Sequence, residues 1–71
     1  MISEQLKQEA GEAFHAYEKV FIDRIVRREG WRLDAAPLAK ALDSGDEATV
    51  RAFIKDMVLG AAELRSASIA W

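Results

Sequence analysis

The chain has 71 residues, a mass of 7.9 kDa and no cysteine, which leaves room for one domain and excludes a disulfide scaffold or a thiolate zinc site. Its formal net charge of −2 provides no strong field toward nucleic acid or an anionic membrane. No apolar run approaches the ~18 residues of a membrane span, and the N-terminus lacks the pattern of a signal peptide. We therefore expect a single cytoplasmic domain, residues 1–71, without membrane contact.

The first predicted element is a long helix over about residues 3–29. Ser3 is a suitable N-cap, because its side-chain oxygen can accept a free N–H of the first turn. Gly30 is a suitable residue to end the helix, and Trp31 would then pack on Val26. An apolar stripe at helical spacing predicts the buried face, with the members Leu6, Ala10, Ala13, Phe14, Tyr17, Val20 and Phe21.

A second apolar surface begins where this stripe ends. Arg24 and Arg28 continue the line of the stripe, while Ile22 and Ile25 lie to one side of it. So small a chain has few internal partners for a second surface, and arginine is typical of interface hot spots. We therefore predict an interface here, with a second copy or with another protein. The predicted protein-binding residues are Ile22, Arg24, Ile25, Arg28 and Arg32.

The same region holds the chain's concentration of basic charge. Residues 19–33 carry five basic and two acidic side chains, a net charge of +3. Residues 1–18 and residues 34–50 each carry one basic and four acidic side chains, a net charge of −3. The basic residues either offset the negative end of the helix dipole or form a patch for an acidic partner, such as the acidic helix start of a second copy.

A short helix over about residues 35–43 and a long helix over about residues 47–70 follow in the sequence. Asp34 can cap the short helix. Either Ser44, in a capping box, or Asp46 alone can begin the long one.

The last helix has an apolar seam that repeats every seventh residue, with small residues in its middle. This seam packs either on the first helix in an antiparallel hairpin or on a second copy, and both can hold in one dimer. The predicted fold is therefore all-α: a helical hairpin of two long helices with a short connecting helix, forming a dimeric helical bundle. The seam residues are Val50, Phe53, Met57, Ala61, Leu64 and Trp71.

Two resemblances suggest other functions. Residues 37–55 resemble a helix-turn-helix, with Ala41 and Gly45 at the spacing of its small residue and turn glycine, which implies a DNA-binding regulator. Asp46 and Glu47 would then begin the recognition helix, where DNA phosphates repel carboxylates, so nucleic acid is not the expected partner.

A second resemblance covers a short stretch, Ala41-Leu-Asp-Ser-Gly-Asp with Val50-Arg-Ala-Phe. It resembles the helical recognition domain of split borosin-type precursor peptides. That resemblance implies that a partner enzyme N-methylates a C-terminal segment, here residues 66–71.

Catalytic and metal-binding chemistry have little support in the residues. One histidine and no cysteine exclude the common nucleophile sets, and four scattered glycines form no phosphate loop. Glu12 and His15 have the E-x-x-H spacing of carboxylate-bridged metal bundles, which a dimer could duplicate and Glu63 could extend. The pair lies opposite the apolar stripe, where a solvated surface is expected. We therefore expect no cofactor and no enzyme activity.

The expected function is binding to another protein. Small acidic helical proteins with surplus apolar surface suit an adaptor, a regulator or an inhibitor, including inhibitors encoded by phages or mobile elements. The chain is also expected to form a homodimer.

Overall fold

The computed structural model describes residues 2–66, and these residues form helices and no strand. Two long helices and a short one pack together, which confirms the predicted all-α class. Among the described residues, no helix is both long and apolar enough to cross a bilayer. Trp71 and the predicted helix end near residue 70 lie outside the described residues. The elements are α1 (Glu4–Phe21), a π-helical segment (Ile22–Val26) that continues α1, α2 (Ala36–Asp43) and α3 (Glu47–Ser66).

Side-chain caps fix the helix starts. The Ser3 hydroxyl accepts the Leu6 N–H at 3.1 Å, as predicted for the start of α1. In front of α2, Asp34 accepts the Ala36 N–H at 3.0 Å, although the N-cap position itself is Ala35. Both caps satisfy first-turn N–H groups that have no partner within the helix.

Asp46 caps the start of α3. Of the two starts that the sequence allowed, the structure therefore has the Asp46 cap and not the Ser44 capping box. Its carboxylate accepts the Ala48 N–H at 3.2 Å and the Thr49 hydroxyl at 2.7 Å. The Ser44–Glu47 capping box does not form, because the Glu47 carboxylate instead pairs with Arg51 at 2.8 Å. These hydrogen bonds lower the pKa of Asp46, the Thr49 hydroxyl contributing most and the Ala48 N–H next.

The first helix ends earlier than predicted. Its last turns widen into the π-helical segment, and Arg27 takes the left-handed conformation (φ 52°, ψ 41°) while donating its N–H to the Ile22 carbonyl at 2.6 Å. The predicted cap at Gly30 is wrong, because the chain has already turned back. The Trp31 ring stacks on Phe21 at 5.5 Å between centroids, which holds the returning chain against α1.

The two long helices run in the same direction. Phe14 stacks on Phe53 with ring centroids 6.4 Å apart, and Tyr17 contacts α3 further along, at Gly60. The antiparallel orientation expected for the hairpin is therefore wrong. The connection is long enough to return the chain to the start of α1, because residues 27–35 can span about 30 Å when extended. α2 then covers the remaining distance.

The core lies near the shared starts of α1 and α3, where α2 covers it. Ala10 and Val50 have no exposed surface, and the small alanine side chain lets the helices approach closely. Phe14 extends the buried face of α1 toward the middle of the molecule. The core cluster consists of Ile2, Leu6, Ala10 and Val50, with Leu38, Leu42, Phe53 and Ile54 packed against it.

Parallel packing separates the charges along a molecule 44 Å long. The starts of α1 and α3 lie at one end together with Glu4, Asp46 and Glu47, and we call this the acidic end. Residues 19–33, net +3, lie at the other end, which we call the basic end. The dipoles of the two parallel helices add, and the charges at both ends offset them.

The close approach of Tyr17 and Gly60 generates a first prediction. A Cβ added at Gly60 would lie 2.8 Å from the Tyr17 ring, whereas a Cβ added at Gly11 would meet nothing within 4 Å. We expect Gly11→Ala to raise the free energy of unfolding by about 0.5–1 kcal/mol through helix propensity. We expect Gly60→Ala to lower it by about 1 kcal/mol, because overpacking outweighs that gain.

Urea denaturation of both variants measures this difference. In a Tyr17→Val background the ring is gone, so the Gly60→Ala change should no longer destabilise the protein. Equal stabilisation by the two alanines in the wild-type background would contradict the close approach of α1 and α3.

The Asp46 cap generates a second prediction, on pH. A carboxylate whose pKa is lowered by folding stabilises the protein above its unfolded pKa, and this contribution disappears as the pH falls through the folded pKa. We expect wild type to melt at a higher temperature than Asp46→Asn at neutral pH, and the gap to narrow as the pH falls below the usual pKa of an aspartate and through the lowered pKa of Asp46. Thermal unfolding of the two proteins across this range measures it, and a constant gap would contradict the assignment.

Candidate protein-binding cleft

A buried carboxylate attaches the returning chain to α1. Glu18 is 6% exposed, and its Oε2 accepts the Leu33 N–H at 3.0 Å. Its Oε1 lies 3.4 Å from Nδ1 of His15. The buried carboxylate therefore has a backbone hydrogen-bond donor. Residues 27–35 are held along α1 by this contact and by the Trp31 stack.

Glu18 is not among the site residues predicted from the sequence, although its position on α1 indicated that it would be buried. The buried residues of α1 follow each other at intervals of four, Leu6, Ala10 and Phe14, and Glu18 is the next position in that series. A charged residue at a core position is buried only when it has partners. The backbone of a distant loop supplies the main partner here, and periodicity cannot predict such a contact.

A cleft of about 330 Å³ opens between α1 and the loop that Glu18 holds. Half-buried Ile22 and Trp31 supply its apolar surface, and exposed Lys19 and Arg32 supply cationic groups beside them. We call this the Trp31 cleft. His15, Glu18 and Gly30 complete its lining.

The predicted protein-binding surface is divided by the structure. Ile22 and Arg32 meet in the Trp31 cleft, whereas Arg24, Ile25 and Arg28 do not line it. Arg24 lies in the π-helical segment and Arg28 follows the helix end at Arg27, so the predicted line through both arginines is not formed. Both arginines are exposed at the basic end, and Ile25 is 46% exposed.

Among the residues that the structure describes, the predicted seam of α3 packs inside the protein, toward α1. Val50 and Ala61 are buried, and Phe53 stacks on Phe14 of α1. Met57 and Leu64 are half-buried, while Trp71 lies outside the described residues.

The resemblance to a helix-turn-helix extends to the order of elements, since α2, a tight turn at Gly45 (φ 67°) and α3 follow each other. The start of α3 is acidic: Asp46 and Glu47 are both exposed there. A phosphate backbone would be repelled from this helix start. The C-terminal segment of the precursor-peptide alternative begins at Ser66 and otherwise lies outside the described residues.

Glu12 and His15, the pair considered as an alternative metal site, have other partners. Oε1 of Glu12 accepts a hydrogen bond from Gln8 at 3.3 Å, and His15 contacts Glu18 instead. Within residues 2–66 there is no group of three or more His, Cys, Asp or Glu side chains that could hold a metal ion.

Comparison with known proteins identifies no relative. No family model, no curated protein and no solved structure matches the chain. Function must therefore be inferred from the chemistry of the Trp31 cleft, because a helical fold alone implies none.

The Glu18 anchor generates a third prediction. Glu18→Ala leaves the Leu33 N–H without its acceptor, so we expect the free energy of unfolding to fall by about 1–3 kcal/mol. Glu18→Gln keeps an acceptor oxygen and should lose less. Exposed Glu12→Ala serves as the control, with a change within about 0.5 kcal/mol.

Chemical denaturation measures the three stabilities, and hydrogen exchange at the Leu33 amide reports the local contact directly. Equal protection of this amide in Glu18→Ala and wild type would show that the carboxylate does not hold the loop.

Proposed function

We propose that the protein is a helical protein-binding module, and that its Trp31 cleft receives an apolar side chain flanked by carboxylates on another protein. The observation that carries this proposal is that half-buried Ile22 and Trp31 line one cleft together with the exposed cations Lys19 and Arg32. Such a module acts as an adaptor, a regulator or an inhibitor of the protein that it binds.

The composition of the cleft favours a protein partner. Tryptophan and arginine are the residues most enriched at interface hot spots, and the cleft combines one of each with an aliphatic side chain. Its volume of about 330 Å³ is at the lower limit of small-molecule pockets. A single side chain of a partner, with its neighbours on the rim, fits this space better than an enclosed ligand does.

The charge around the cleft favours an acidic partner. Residues 19–33 carry a net charge of +3 although the whole chain carries −2. Arg24, Arg27 and Arg28 lie outside the cleft at the same end, so they attract an approaching acidic surface without contacting the inserted side chain. Affinity should therefore weaken as salt screens these charges.

The attachment of the loop favours recognition with little rearrangement. The Glu18–Leu33 hydrogen bond and the Trp31–Phe21 stack hold the loop side of the cleft against α1 before any partner arrives. A preformed site loses less conformational entropy on binding than a loop that must first become ordered.

Titration with defined peptides generates the fourth prediction. A Trp71→Phe variant leaves Trp31 as the only tryptophan, so its fluorescence reports on the cleft. We expect peptides that flank a Leu or Phe with glutamates to shift this emission to the blue. Peptides with lysines in place of the glutamates should leave it unchanged.

Charge reversal locates the site. We expect Lys19→Glu with Arg32→Glu to weaken binding of the acidic peptides by about tenfold or more. The control, Lys7→Glu with Lys40→Glu, makes the same change in net charge at exposed positions that do not line the cleft and lie toward the acidic end. Arg24→Glu with Arg28→Glu should have a smaller effect that high salt removes.

Two results would contradict the proposal. One is equal affinity of the cleft double variant and its control. The other is a Trp31 emission that does not respond to acidic peptides at about millimolar concentration.

A further inference from the structure

The second surface of interest is the side of α3 that faces away from α1. Leu59 is 51% exposed and Val58 is 56% exposed, although both are large apolar side chains. Leu59 is the centre of one face of the helix, and the other residues of that face lie three, four or seven residues before or after it. We call this the outer face of α3; it consists of Ala52, Lys55, Leu59, Ala62, Glu63 and Ser66, all exposed, with Asp56 at its edge.

Three small residues lie along this face, among the charged residues next to Leu59. Ala52 and Ser66 lie seven residues before and after it, and Ala62 lies one turn away. A second helix could therefore approach closely and bury Leu59 at the centre of the contact. These residues are distinct from those that line the Trp31 cleft.

The charges of the whole molecule determine how a second copy would be oriented. The acidic end and the basic end lie at opposite ends of the 44 Å long axis. An antiparallel pair places the acidic end of each copy beside the basic end of the other, whereas a parallel pair places like charges together. Antiparallel α3 helices also bring opposite ends of their dipoles together.

The charges of the outer face agree with that orientation. Lys55 precedes Leu59 by four residues and Glu63 follows it by four. In an antiparallel pair with its twofold axis at Leu59, Lys55 of each copy therefore lies opposite Glu63 of the other. In a parallel pair, Lys55 would face Lys55 and Glu63 would face Glu63.

We infer that the outer face of α3 binds a second copy of this chain in an antiparallel, twofold-symmetric pair centred on Leu59. The pair buries Leu59 between the two copies and forms the Lys55–Glu63 contact twice. Because the outer face and the Trp31 cleft share no residue, each dimer retains two clefts.

Charge reversal and charge exchange test this pairing. Light scattering after size exclusion, from about 10 µM to about 1 mM, should give wild type a mass approaching twice 7.9 kDa. We expect Lys55→Glu and Glu63→Lys each to raise the dissociation constant by about tenfold or more, because each places like charges in contact twice. The double variant exchanges the charges and should restore wild-type dimerisation.

Two further variants complete the test. Glu12→Lys, an exposed change on α1, matches the change in net charge of Glu63→Lys and should dimerise like wild type. Leu59→Asp should remain monomeric, with the helical circular dichroism of wild type, because Leu59 lies outside the core.

Three outcomes would overturn the inference. They are a monomeric wild type over the whole concentration range, a dimer that both single reversals leave unchanged, and a double variant that dimerises no better than either single variant.

Discussion

The hydrogen bond from the Leu33 N–H to the buried Glu18 carboxylate is the contact on which the arrangement of this protein depends. Together with the stacking of Trp31 on Phe21, it holds the returning chain along α1. α3 can then begin beside the start of α1 and run parallel to it. Glu18 also lines the Trp31 cleft, so the residue that holds the loop contributes to the candidate site.

Local rules predicted much of the fold. Ser3 and Asp46 cap the helices that their positions indicated, and the Leu6, Ala10 and Phe14 series is buried as its spacing predicted. These features depend on residues within one or two turns of each other, which a sequence displays directly. The direction of α3 depends instead on how the connection folds, and loop length alone permits either orientation.

The candidate site was only partly predictable for the same reason. The apolar and basic residues near Ile22 and Arg32 predict a binding surface there, and the structure brings both residues into one cleft. A glycine followed by an apolar residue is the usual signal for the end of a helix, so the sequence predicts that Trp31 follows a helix cap at Gly30. In the structure the helix ends before Gly30, at Arg27, which takes the left-handed conformation. Arginine adopts that conformation less readily than glycine, so the sequence did not indicate this end.

The parallel arrangement of α1 and α3 is the central claim of this account, and a distance measurement tests it most directly. The chain has no cysteine, so pairs of spin labels can be introduced at Gln5 with Arg51 and at Gln5 with Glu63, diluted with unlabelled protein. Gln5 and Arg51 border the same surface hollow, while Glu63 lies about 18 Å further along α3. Parallel helices give the shorter distance for Gln5 with Arg51. A shorter distance for Gln5 with Glu63 would contradict it.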